Sequence, residues 1–136
     1  MVLFYPFPSS ELDQALIWQA SDGLRFSVAG GRGITAGAGG AAVHGLEAGT
    51  PAGNLSALST SYIPYGHLNL PKLPDAAVRA SMRETLRSWK VTNIIMSGGG
   101  RAPDYSRQWL TQVLGAPPKL QDGRWVWTNV QALVGS

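Results

Sequence analysis

A chain of 136 residues with 44% apolar and 14% charged side chains is long enough for one domain with its own core, and its surface is poor in charge. A net charge of +3 is too small to mark a nucleic-acid binder, and without cysteine neither a disulfide nor a thiolate metal site can form. No apolar run approaches the roughly 18 residues of a spanning helix, and the opening MVLFYPFP lacks a positive n-region and is broken by Pro6, so it does not read as a secretory signal.

The first element is a short buried strand over Val2 to Phe7, rich in aromatics and closed by Pro8. Ser10 then offers an N-cap with Asp13 three residues on, which predicts a helix ending before Asp22-Gly23. Leu24 to Ala29 reads as a second strand. From about residue 30 to 54 the chain turns to Gly and Ala, a composition costly to order and with little to bury, so a long mobile loop is expected. The stretch Leu55 to Pro74 is interrupted by Pro64, Pro71 and Pro74, with one short edge strand around Ala57–Ile63.

The clearest helix follows. Asp75 caps it, and Val78, Met82, Leu86 and Trp89 recur at helical spacing as one apolar stripe. Val91 to Met96 is a buried strand ending at Gly98-Gly99-Gly100. Asp104 is placed to cap a further helix with Trp109, Leu110, Val113 and Leu114 inward, stopped by Gly115 and Pro117-Pro118. A last strand runs from Arg124 to Val130 with Trp125 and Trp127 on one face. This order predicts a single α/β domain: three layers, a mainly parallel sheet of about four to five strands with helices on its faces, and a last strand suited to an antiparallel edge.

Two stretches, GRGITA at 31–36 and GAGGAA at 37–42, fit the dinucleotide pattern G-x-G-x-x-A formally. That fingerprint needs a helix opening at once on the pyrophosphate, and more glycine follows instead, so composition explains both. SGGGR is different: Ser97, Gly98, Gly99, Gly100 and Arg101 leave a buried strand and lead to a helix, where α/β sheets bind ligands. Its amides and Arg101 can hold a phosphate or carboxylate, and its bland reading is a plain β-α connection. Ser97 is not in a nucleophile elbow.

His44 and His67 lack ligand-like spacing, so no metal site is expected, and no pattern calls for a cofactor. Arg79, Arg83, Arg87 and Lys90 recur at helical spacing as a basic stripe; such a stripe is commonly a solvated face, and functionally it suits anionic lipid headgroups. Trp18 falls off the main stripe of its helix, so Trp18-Gln19 can line a sugar-stacking surface as well as pack inward.

YPFP, WQASDGLRFSVAGG, WKVTNIIM and VLGAPPKLQDGRWVWTNV together resemble the soluble C-terminal region of polytopic actinobacterial membrane proteins similar to GT-C-type, lipid-linked-sugar glycosyltransferases. The resemblance covers most of the chain outside Gly33 to Pro74, and its motifs are structural. It implies a non-catalytic extracytoplasmic accessory domain in cell-envelope glycan assembly, partnered by the membrane-embedded portion of its parent and by a glycan or anionic lipid, with no nucleic acid. The acidic catalytic residue of such enzymes lies in an early loop between spans, and no position here matches it. The alternative is a stand-alone small α/β enzyme or ligand-binding protein with its pocket at Ser97–Gly100.

Overall fold

The computed structural model describes residues 1–5, 17, 20–23, 25, 27, 34–36, 42–44, 49–59, 67–68, 70–98 and 101–135, with the backbone alone for 34–36 and 42–44. In chain order the elements are β1 (Val2–Tyr5), β2 (Ile34–Ala36), β3 (Ala42–His44), α1 (Pro51–Ser59), α2 (Ala76–Ser88), β4 (Asn93–Ser97), α3 (Pro103–Leu114), β5 (Lys119–Gln121), β6 (Arg124–Trp127) and α4 (Val130–Gly135). They form a mixed α/β arrangement around an open four-stranded sheet of order β1-β4-β6-β5, with β2 and β3 as a separate antiparallel pair.

The sheet departs from the expected mainly parallel one. β1 and β4 are parallel, whereas β6 runs antiparallel to β4 and to β5. The cause is local. Asp122 and Gly123 both take positive φ, 48° and 73°, the pair of dihedrals that a tight hairpin turn with the right twist requires. The Asp-Gly dipeptide thus folds Lys119–Gln121 back as an edge strand. β6 is antiparallel as expected but interior, and it stops at Trp127 rather than Val130. Asn129 at φ 55° breaks the strand there, and Val130 opens α4 instead.

Side chains alternate across the sheet. Leu3, Ile94 and Trp127 lie level on one face, as do Tyr5, Met96 and Trp125. That face packs with Met82 and Leu86 of α2, Trp109, Leu110 and Val113 of α3, Leu55 and Leu58 of α1, and Val130 and Val134 of α4 in one core. The α2 stripe is as expected: Met82 and Leu86 are fully buried, and Val78 and Trp89 pack against the core edge. So is its start, where the Asp75 carboxylate accepts from the Val78 amide at 2.9 Å. The two deepest indoles keep their polar ends satisfied: Trp109 Nε1 donates to the Lys72 carbonyl and Trp127 Nε1 to that of Ala116, both at 2.9 Å.

α2 ends without glycine. Lys90 sits at φ 52°, its amide donates to Arg87 O at 2.9 Å, and the Val91 amide donates to Leu86 O at 3.0 Å. These two bonds make a Schellman closure, with Val91 buried beside Leu86 as its apolar contact.

Three further expectations change. Within the tract at about 30–54, β2 and β3 pair and α1 begins at Pro51. The Thr50 hydroxyl accepts from the Gly53 amide at 3.0 Å, and Pro51 stands at the first helical position, where its missing N–H costs nothing. Ala57, Leu58 and Ser59 are therefore helical rather than the start of an edge strand, and the rest of that expected strand, 60–63, lies outside the described residues. Asp104 does not cap α3: the cap position is Ala102, because Pro103 already fixes the first helical φ, and Asp104 lies inside the first turn. The proposed strand Leu24–Ala29 and the helix from Ser10 fall largely outside the described residues. Of them, Ile17, Ala20 and Ser21 are helical, and the Ser27 carbonyl accepts the Val2 amide at 2.7 Å.

Candidate functional site

The parallel register places the carboxyl ends of β1 and β4 at one pole of the sheet, with Tyr5 level with Met96. β4 ends in half-buried Ser97 and exposed Gly98, and exposed Arg101 leads into α3. Gly99 and Gly100, and the proposed Trp18 and Gln19, lie outside the described residues. From β6 the same pole receives Arg124, opposite Ser97, and Trp125, opposite Met96. The Asp122–Gly123 turn runs alongside, and a Cβ added at Gly98 would lie 3.7 Å from Gly123 O, an ordinary contact. Gly98 is therefore not demanded by packing.

α3 contributes Arg107. Its guanidinium carbon lies 4.5 Å from the centre of the Trp125 ring, while Nη2 reaches Asp104 Oδ1 at 2.8 Å. The indole thus carries a cation on its face and the Asp104 carboxylate is drawn to that cation. The helix start itself has no side-chain cap, since Ala102 offers none. One turn further, Ser106 is fully buried, and its hydroxyl has no hydrogen-bond partner among the described residues. Arg101, Arg107 and Arg124 share this pole with Asp104 and Asp122, leaving it weakly positive and rich in planar donors. Sequence reading found Ser97–Arg101; it missed Arg107, Trp125, Arg124 and Ser106. The positions that join them are set by the β4–β6 register.

The basic stripe divides. Arg79 Nη1 donates to the Pro74 carbonyl at 2.8 Å, Arg83 Nε to Val113 O at 2.7 Å, and Arg87 bonds both Glu84 and the Val134 carbonyl. Lys90 is not on the helix at all, because α2 ends at Ser88 and Lys90 turns away with positive φ. The four side chains therefore do not form one outward row. The arginines tie α2 to the Pro74 segment, α3 and α4.

Elsewhere, His67 is exposed in a connection and His44 belongs to β3. Ile34–Ala36, the second half of the first Gly-rich match, is a strand, so the helix a dinucleotide would need is not formed by those residues. A shallow cavity of about 230 Å³ opens between the first turns of α1 and α2, lined by Gly49, Pro51, Asn54, Ala77, Val78 and Ser81, without a charged group. No helix among the described residues is long and apolar enough to cross a membrane. Comparison with protein-family models, curated proteins and solved structures gave no match to this chain.

Proposed function

We propose that this chain is a non-catalytic extracytoplasmic accessory domain of a multi-span, glycosyltransferase-like membrane protein of cell-envelope glycan assembly, and that it holds a glycan or anionic ligand at the carboxyl end of β4. The observation that carries the ligand site is the Arg107–Trp125 pair at the end of β4, where Trp125 lies opposite Met96, the residue before Ser97. Planar guanidinium groups and a helix start at the end of a parallel strand suit the hydrogen bonding that sugars and their anionic substituents need. The motif resemblance supports the parent class, and in this reading the opening helix covers the second sheet face as a third layer.

The poles support an orientation. The Thr92 amide donates to Met1 O at 2.8 Å and the Val130 amide to Thr92 O at 3.0 Å, so Met1 and α4 lie at the pole opposite Ser97. About 13 Å of strand separates the two poles. In this reading the membrane-embedded partner attaches at the Met1 pole, with Lys90 and Arg87 towards anionic headgroups, and the ligand site points away from the bilayer.

Two measurements test this. A glycan-binding screen should show binding that Arg101→Ala and Arg107→Ala weaken; hits unaffected by both would remove the site. Co-sedimentation should favour anionic over neutral vesicles, and equal partition into both would remove the electrostatic contact. Hydrophobic spans encoded directly upstream of Met1 would support the parent class, whereas their absence would favour the stand-alone ligand-binding protein.

A further inference from the structure

The chain contains two Asp-Gly pairs, Asp22-Gly23 and Asp122-Gly123. An aspartate before glycine can close its side chain onto the following backbone amide, because glycine has no Cβ to shield that nitrogen. The two pairs are alike in shape. All four residues are exposed, the glycines take φ of 64° and 73°, and nothing lies within 4 Å of where a Cβ would stand on either glycine. They differ at the nitrogen. The Gly23 amide donates to the Ala20 carbonyl at 3.1 Å. Gly123 stands in a two-residue hairpin turn, where the flanking Gln121 and Arg124 close the ladder. Its own amide has no hydrogen bond among the described residues.

We propose that Asp122 is a site of spontaneous backbone modification, isomerising to isoaspartate through a succinimide, and that Asp22 in the folded chain is protected from the same reaction. In the first step Gly123 N bonds to Asp122 Cγ of the carboxylic acid, and the carboxyl hydroxyl leaves with the amide proton as water. In the second, water adds at the Asp122 backbone carbonyl carbon and breaks its bond to Gly123 N. The hydroxyl stays on that carbon and the proton goes to the nitrogen, so composition is unchanged. The main chain now runs through Cβ and Cγ, one atom longer. The lengthened turn no longer fits a two-residue hairpin, and β5 has little else to hold it. It has three residues, all exposed, and its one strand partner is β6. Isomerisation therefore releases the edge strand Lys119–Gln121 and leaves β4 and β6 paired.

The test ages the whole chain in mildly acidic buffer, folded and in denaturing urea, and maps isoaspartate at both positions by peptide mass spectrometry with electron-transfer fragmentation. In the folded chain position 122 should convert about tenfold faster than position 22, the ratio that about 1.4 kcal/mol of barrier gives, on the order of one amide hydrogen bond. In urea the two rates should converge, since both amides are then free. A folded-state ratio equal to that in urea, or faster conversion at 22, would overturn the inference. Asp122→Glu, whose longer side chain disfavours the five-membered ring, should lose the product at 122 and keep that at 22 in urea; persistence of isomerised product at 122 would overturn the route. Hydrogen exchange on the aged protein should quicken across Lys119–Gln121 and stay unchanged across Ile94–Met96. Unchanged exchange in β5 would overturn its release.

Discussion

Arg83 on α2 reaches across to α3 and donates from Nε to the Val113 carbonyl at 2.7 Å and from Nη2 to the Leu114 carbonyl at 3.3 Å. A cation thus closes the negative end of a neighbouring helix, where the last carbonyls have no intrahelical donor. Hydrogen bonds from a charged donor are worth roughly 1.5–3 kcal/mol, so Arg83→Met should destabilise the chain by about that amount. Arg83→Lys should recover less than half, because one ammonium cannot reproduce the fork. Urea midpoints at constant slope measure both, and an unchanged midpoint in Arg83→Met would rule out the clamp.

Gly115 belongs to the same arrangement. It closes α3 at φ 73°, and a Cβ placed there would lie 3.1 Å from Arg83 Nη2. Gly115→Ala should cost about 1–2 kcal/mol from the left-handed backbone, plus whatever displaces the guanidinium. In an Arg83→Met background only the backbone part should remain. The double-mutant cycle should therefore show coupling of about 0.5 kcal/mol or more; strictly additive losses would mean that Arg83 and Gly115 are independent.

Lys90 makes the opposite prediction. It holds the left-handed position of the α2 closure, which glycine occupies without steric cost. Lys90→Gly should raise stability by about 0.5–1 kcal/mol after allowing for the added freedom of the unfolded chain. Thermal melts should show a higher midpoint than for Lys90→Ala, which keeps the Cβ. The reverse ranking would contradict the Schellman closure.

Ser106→Ala should raise stability by about 1 kcal/mol, since it removes a buried hydroxyl lacking a partner among the described residues and improves helix propensity. A residue kept for packing alone would lose stability on truncation. Chemical denaturation of the two proteins measures this, and a lower midpoint in Ser106→Ala would contradict it.

The local elements were legible wherever a short signal coincided with a long period. Asp75 and the Val78–Met82–Leu86–Trp89 stripe define α2, and Gly115 ends α3 at the expected place. Two signals of equal quality went unused. Thr50-Pro51 starts α1, but the surrounding Gly and Ala dilute its apolar pattern, and Asp122-Gly123 makes the hairpin in a stretch whose strand β5 is fully exposed.

By itself, the order of residues determined where α2 begins and ends, where α3 stops and which of their side chains enter the core, because caps, turns and periodicity act over a few bonds. Only the tertiary structure decided that β6 inserts between β4 and β5, that Arg83 and Arg87 bond the distant carbonyls of Val113 and Val134, and that Arg107 lies on Trp125. Those contacts join residues far apart in sequence. Their geometry follows from how the twisted sheet and helices pack to exclude water, a constraint that no local pattern encodes.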